Sequence, residues 1–393
     1  MSVLAKKKIQ GAKAREGWHW RDYFKSSELR LDKDHPKPTV FVAMSGGVDS
    51  SVTAYLLKEQ GYQIVGVFMK NWSFPVKRIT ECPLYQDYLD MVSVCKFLKV
   101  PYLVFSFEKE YRKRVIDDFF KEYRAGRTPN PDVLCNREIK FDLFLKEALK
   151  RGADLMATGH HIRSRKTPKG YQLLRGKDPI KDQTYFVYPI TQAQLGRCLF
   201  PIGEYTKAQI REIAKQVGLP TAAKRDSQGI CFIGRIDAKD FLKTKLLQRK
   251  GDIVDLSGRK RGEHEGAWFY TLGQRRIVGL SGTAKPLYVI KTDVRKNLVI
   301  VGSDSDTYTK VARIGPLHLI NPKEYTSRTL VGKQFLAKSR YTPELSRGVL
   351  KKDSKGFYFQ FSQPERAVTS GQSLVLYQGQ VCIGGGVIKD NIK

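Results

Sequence analysis

This chain predicts an α/β domain built on a parallel sheet, then a small central module and a C-terminal antiparallel β-barrel. Three observations carry that prediction. Apolar runs alternate with helix-length stretches from residue 38 to about 240. After about residue 240 the texture becomes short, basic and glycine-punctuated, as in GDIVDLSGRKRGEHEGAWFYTLGQRRIVGL. From about residue 310 hydrophobicity alternates with period two, as in GFYFQFSQ, with turn residues between runs.

The elements follow in order. Residues 1–37 are a polar, lysine-rich lead-in ending at HPKP. TVFVAM (39–44) predicts a strand, and DSSVTAYLLKEQGY a helix that stops at Gly61. QIVGVFM (63–69) and PYLVFSF (101–107) predict two more strands, with helices over 86–98 and 108–124 behind them. A helix near 137–151 leads into ADLMATGHH, a strand running out into a Gly-His-His turn. This alternation implies right-handed crossovers and ligands beyond the carboxyl ends of the strands. The loops at 44–50, 69–72 and 157–161 should therefore line one site. The domain boundaries expected are a basic extension over 1–37, a catalytic domain over 38–240, a central module over 241–309 and a barrel over 310–393.

Composition narrows the function. The 393 residues carry 70 Lys+Arg against 39 Asp+Glu, a net +31, which suits a polyanionic partner such as nucleic acid. Six cysteines (82, 95, 135, 198, 231, 382) are scattered without a CxxC pair. That pattern speaks for a reducing compartment and against a disulfide scaffold or a four-cysteine metal site, so no structural metal is expected. No apolar run is long enough for a membrane span. The N-terminus is basic without an apolar signal core, so a cytoplasmic protein is expected. The alternative is a mitochondrial-matrix protein whose basic arm is a targeting segment.

SGGVDSS (45–51) lies between a strand and a helix. Its glycines let the backbone turn tightly, and its N–H groups, hydroxyls and helix N-terminus make an anion cradle. It lacks the Gly-Lys-Ser/Thr of a Walker loop. It resembles the pyrophosphate loop of N-type ATP pyrophosphatases, the adenine nucleotide alpha hydrolase-like fold, which implies adenylation rather than kinase chemistry. Met69, at the end of the second strand, is placed to meet an adenine, although taken alone it reads as a core methionine. Gly159 would let a nucleotide approach the backbone, and His160 and His161 read as packing or solvated histidines.

Cys135 follows the turn RTPNPDVL and precedes the expected helix start, where the dipole favours thiolate. Asp132 would by itself raise that thiol's pKa, which makes more sense if the acid exchanges protons with a substrate. Cys231 follows Lys224 and Arg225, which could favour an anionic sulfur. Either cysteine alone reads as a small buried hydrophobe. Beside an adenylation loop, one thiol could carry sulfur as a persulfide and the other release it by forming a disulfide.

SGGVDSS, VFMKNW, GRTPNPDVLCNREIKF, ATGHH, KDQTYFVY, DSQGICFIG, FYTLGQRR, SRYTPE and QPERAVTSGQ occur in that order. Together they resemble the tRNA-specific 2-thiouridylases of bacteria and organelles, the MnmA/TrmU family, over about residues 38 to 390. The pair NPDxxCNxxIKF and DSQGICF makes the match specific. The resemblance implies an ATP-dependent enzyme that adenylates O2 of the wobble uridine (position 34) in the tRNA anticodon and replaces it with sulfur. ATP, with Mg²⁺, would bind Ala43, Met44, Ser45, Gly46, Gly47, Val48, Asp49 and Ser50, with Met69 and Gly159 at the adenine and ribose end. Asn130, Pro131 and Asp132 match the segment that meets the target base, with Asp132 as acid/base. Cys135 matches the nucleophile and Cys231 the persulfide carrier. Lys181, Asp182, Gln183, His160, Arg340, Tyr341 and Gln372 match tRNA contacts. The sulfur would come from a donor or relay protein fed by a cysteine desulfurase. Cys135 would either free hydrosulfide or close a disulfide with Cys231. His161 stands where a tyrosine is usual, and GQRRIVGLSG varies the usual Gly-Gln-Arg-Lys run.

Overall fold

The computed structural model of the chain describes residues 20–73, 78–226, 238–277 and 285–392. It divides into two compact units, the first made of 1–115 and 134–236, the second of 116–133 and 237–393.

The first unit is built on strands β1 (Thr39–Met44), β2 (Gln63–Lys70), β3 (Tyr102–Ser106) and β4 (Leu155–Thr158). After β4 come an antiparallel hairpin, β5 (Ile162–Thr167) and β6 (Gly170–Arg175), and a two-residue strand β7 (Cys198–Leu199). The parallel sheet has the order β3-β2-β1-β4-β7. TVFVAM is buried at all six positions, as a central parallel strand covered on both faces must be. The order reverses between β1 and β4, and that switch point is where such sheets bind ligands.

Helices α1 (Val48–Glu59) and α2 (Pro83–Phe97) cover one face. Val40, Val42, Met44, Ile64 and Phe68 meet Val52, Leu57, Tyr88, Met91 and Cys95 there in a single core. Helix α3 spans 108–124 and helix α4 spans 131–150, each containing a wider π turn, over 112–116 and 136–144 respectively. On the other face Phe144 of α4 packs on Phe105 of β3, centroids 5.7 Å apart. Phe105 is the cross-strand partner of Met69, so Met69 looks toward the face that α4 covers. Helix α5 (Lys207–Val217) opens with a Thr206/Gln209 capping box and ends on Gly218 in the left-handed region.

One expectation needs correction. The helix carrying Cys135 starts at Pro131, not near 137. Asn130 caps it, its Oδ1 accepting from the N–H groups of Asp132 (3.1 Å) and Val133 (3.2 Å), and Pro131 takes the first position, where no N–H is needed. Cys135 therefore lies inside the first turns rather than before them.

In the second unit β8 (Gly251–Asp255), β9 (Lys260–His264), β10 (Tyr288–Asp293) and β11 (Leu298–Gly302) form a four-stranded sheet of order β10-β11-β8-β9. The remaining strands are β12 (Tyr308–Ile314), β13 (His318–Leu319), β14 (Gln334–Lys338), β15 (Ser346–Asp353), β16 (Gly356–Arg366), β17 (Ser373–Gln378) and β18 (Val381–Ile392). Six of them close an antiparallel barrel, β12-β16-β15-β14-β17-β18 and back to β12. Alternate residues such as Leu350, Phe359, Leu374, Leu376 and Ile383 fill it, as the period-two pattern predicts.

Candidate active site

The phosphate loop follows β1. Gly46 adopts φ +70°, and a Cβ there would lie 2.1 Å from the carbonyl oxygen of Asp87 on α2, so glycine is required twice over. Gly47 caps α1 without a side-chain bond, which leaves the first N–H groups of that helix for an anion. Ser50 Oγ accepts from the N–H of Ser45 (3.2 Å) and donates to Gly47 O (3.1 Å), while Ser51 Oγ donates to the same carbonyl (2.9 Å). The hydroxyls thus fix the loop from inside. Ala43, Met44 and Val48 are buried beneath it.

Gly159, just past β4, lies against this loop. A Cβ on it would come within 2.8 Å of Ser50 N and 3.0 Å of the Asp49 carbonyl carbon, so only glycine lets the two loops meet. Met69 is buried at the end of β2. The first unit thus brings together the loops after β1 and β4, the pair that flank the switch point.

Both histidines are buried. His160 Nδ1 is 2.7 Å from Thr158 Oγ1, and its ring lies 5.7 Å from that of Phe141. Burial, with Lys140 and His161 nearby, pushes the His160 pKa well below its ordinary value, so the ring is neutral. His161 Nε2 lies 3.5 Å from Asp49 Oδ1, and the His161 N–H donates to Gln183 Oε1 (2.9 Å). Asp182 is fully buried and accepts from Thr184, Gly176 and Arg175. The Lys181 side chain is 40% exposed, and its Nζ lies 3.3 Å from Asp226 Oδ2.

Cys135 is fully buried on α4. Phe141 marks its depth. That ring sits against His160, just beyond the end of β4, and Cys135 lies six residues further toward the helix N-terminus. Helix α4 runs back along the sheet, so Cys135 is on the carboxyl edge where the phosphate loop lies. The neighbouring Asn136 donates from Nδ2 to Phe186 O (3.1 Å). Burial pushes the Cys95 thiol up to about 12 and raises Cys198 further, which makes both inert. Cys231 lies outside the described residues.

A network of charges around the loop was not read from the sequence. Lys207 Nζ, on the first residue of α5, lies 2.7 Å from Asp49 Oδ1 and 2.9 Å from Asp226 Oδ1. Arg211 (2.5 Å) and Lys181 also hold Asp226, whose carboxyl burial would raise but Lys207 and then Lys181 bring down to about 2. Asp49 behaves alike: burial pushes it up, and His161 and Lys207 together hold it below the ordinary carboxylate value. Lys224, read above as a partner for a sulfur anion, instead pairs with Asp87 and Asp90 of α2 at 2.7 and 2.5 Å. Only a capping-box pattern at 206–209 hinted at α5, and nothing in the sequence pointed its first lysine at Asp49.

In the second unit, residues 127–132 hang from the barrel. Thr128 N donates to Ser370 O (2.9 Å), and Gln372 Nε2 donates to Thr128 O (2.8 Å) and Pro129 O (3.2 Å). Gly371, at φ +93°, would place a Cβ 2.8 Å from Thr128 O. Arg127 grips Glu122 at 2.5 and 2.6 Å, which raises the one pKa and lowers the other. Gln372, expected at the tRNA, thus also fixes the strap that presents Asn130, Pro131 and Asp132. Tyr341 is 40% exposed beside the half-buried Arg340, on the barrel after β14. Among the described residues no group of three or more His, Cys, Asp and Glu could hold a metal ion.

Family models match along the chain: a tRNA methyl transferase HUP domain over residues 38–235, a tRNA methyl transferase PRC-barrel domain over 239–303 and an aminomethyltransferase beta-barrel domain over 314–388. The tRNA-specific 2-thiouridylase MnmA of Halalkalibacterium halodurans is 44% identical over 368 residues, which are 92% of this chain and 98% of that protein. The protein of the same name from Shouchella clausii is 46% identical over 355 residues, 89% of this chain and 96% of its own. That from Staphylococcus aureus strain RF122 is 43% identical over 359 residues, 90% and 96% of the two chains. With identity of 43–46% to these relatives over about nine-tenths of its length, the chain belongs to the tRNA-specific 2-thiouridylase family.

Proposed function

We propose that this protein is a tRNA 2-thiouridylase that converts the wobble uridine at position 34 to 2-thiouridine, releasing AMP and pyrophosphate. The observation that carries the reading is the shared carboxyl edge of one sheet. A glycine-built phosphate loop follows β1 there, and the sheet's crossover helix carries Cys135 toward the same edge, in a family of tRNA thiolases.

ATP is held by the N–H groups of residues 46–50, with the adenine toward Met69 and the ribose toward Gly159. Mg²⁺ arriving with the nucleotide would spread phosphate charge and ease pyrophosphate departure. Asp49 is the one carboxylate of the loop and fits an ion that brings most of its ligands as phosphate and water, rather than a protein-built cage. The uridine must leave the stack, at a cost of about a few kcal/mol. Asn130, Pro131 and Asp132 receive it, and its O2 attacks the α-phosphorus as the bond to pyrophosphate breaks. Asp132 holds the proton that the base gives up and returns.

The terminal sulfur of a Cys231 persulfide then adds at C2, and AMP leaves with the old oxygen. The Cys135 thiolate attacks Cys231 Sγ, the S–S bond to the transferred sulfur breaks, and a Cys135–Cys231 disulfide results. Alternatively the same attack precedes transfer and frees hydrosulfide, which then adds at C2. Either course oxidises both cysteines, and a thiol reductant must restore them. A protein persulfide relay supplies the sulfur. Lys181, His160, Arg340, Tyr341 and Gln372 serve tRNA recognition, and the +31 charge draws in the phosphate backbone. The domain division at 38–240, 241–309 and 310–393, and a cytoplasmic location, belong to this proposal.

The test is tRNA-dependent release of pyrophosphate from ATP, followed by sulfur transfer from a protein persulfide. Cys231→Ser should keep the first and lose the second. A Cys231→Ser protein that still thiolates tRNA from that donor would overturn the carrier assignment.

A further inference from the structure

The phosphate loop poses an electrostatic problem. ATP brings about four negative charges, yet SGGVDSS contains no basic residue and one acid, Asp49. A Walker loop carries its own lysine; here any side-chain cation that joins Mg²⁺ on the phosphates comes from elsewhere in the fold. Lys207 brings one to the loop: its ammonium lies 2.7 Å from Asp49 Oδ1.

Its setting suits a group that moves a short way. Lys207 is the first residue of α5, its N–H donates to Asp178 Oδ2 (3.0 Å), and Thr206 caps the helix, so the backbone is fixed while the four-carbon stem can swing. The ammonium is shared between Asp49 and Asp226. Asp226 can release it, since Arg211 and Lys181 remain on that carboxylate. Asp49 keeps His161 at 3.5 Å. A side chain 11% exposed is largely out of water, where a charge acts more strongly than at the surface.

We infer that Lys207 is the cation of the ATP site, passing from Asp49 to the β- and γ-phosphates of the bound nucleotide. The inference rests on the reading of this loop as an ATP site and adds a substrate-touching residue to it. Lys207 then stabilises the charge that grows on pyrophosphate as it leaves. When pyrophosphate has gone, Asp49 takes the ammonium back.

Binding of ATP, inorganic pyrophosphate and AMP to the full chain by titration calorimetry tests this. Lys207→Met should weaken ATP and pyrophosphate about tenfold or more, the scale of one hydrogen bond to a charged group, and change AMP less than about twofold. Lys207→Arg should recover most of the loss. Equal weakening of all three ligands would mean a merely structural tie, and unchanged ATP binding would mean no contact; either overturns the inference. Should Lys207→Met not fold, Asp226→Asn decides. Removing the competitor for the ammonium should tighten ATP by about threefold, and unchanged or weaker binding would contradict the assignment. A wild-type chain that binds no ATP would instead sink the parent reading.

Discussion

The phosphate loop and the strap at 127–132 do comparable work by opposite means. The loop is fixed by steric exclusion: Gly46 and Gly159 meet other backbone so closely that no Cβ fits, and buried hydroxyls tie the turn to itself. The strap is hung by a few polar bonds, Gln372 and Ser370 to residues 128–129 and Arg127 to Glu122. The first design suits a ligand of one shape bound again and again. The second suits the proposed role of a segment that adjusts to a flipped base, because polar bonds near water cost less to open than packed backbone.

Substitutions can break that contrast, and the largest effect lies at neither region but at the thiol three residues beyond the strap, Cys135. Cys135→Ala should abolish 2-thiouridine while leaving tRNA-dependent pyrophosphate release measurable, a split visible by nucleoside mass spectrometry beside a phosphate assay. Gly46→Ala comes next. The added methyl must displace backbone at Asp87 and take φ +70°, so we expect a stability loss of about 3 kcal/mol, with ATP binding lost. A thermal midpoint within a degree of the wild type would mean that the loop is not sterically fixed. Gln372→Ala should be milder, removing two hydrogen bonds worth about 1–2 kcal/mol together. It should raise the KM for tRNA and leave ATP affinity alone; an equal effect on both would erase the contrast.

Elements formed by local pattern were legible in the sequence. TVFVAM, QIVGVFM and the period-two strands appear where apolar spacing puts them, because burial on one or both faces dictates that spacing. The start of α4 was missed because PNPD reads as a turn, while Asn as cap and Pro in first position make the same letters a helix start. The hairpin β5–β6 carries charged residues through IRSRKT, which hides its period. The charges on Asp49 and Asp226 were invisible for a different reason. Lys207 is 158 positions from Asp49, and no local rule relates such residues. Likewise, SGGVDSS and the two candidate cysteines were conspicuous as motifs, yet the role of Gln372 as a hook on the strap needed coordinates.

The smallest expected effect concerns His160. Its folded pKa is depressed by burial, so between that value and about 6.5 the unfolded chain binds the extra proton. Its contribution to stability is therefore full above about pH 6.5 and falls as the pH drops below it. His160→Gln should flatten that limb of a stability–pH curve, and an unchanged slope would show that another group sets it.

The most direct test of the whole account is nucleoside mass spectrometry of unmodified tRNA incubated with the full chain, ATP and a protein persulfide donor. The account predicts 2-thiouridine at position 34, dependent on ATP and matched by AMP. No 2-thiouridine, or equal amounts without ATP, would contradict it.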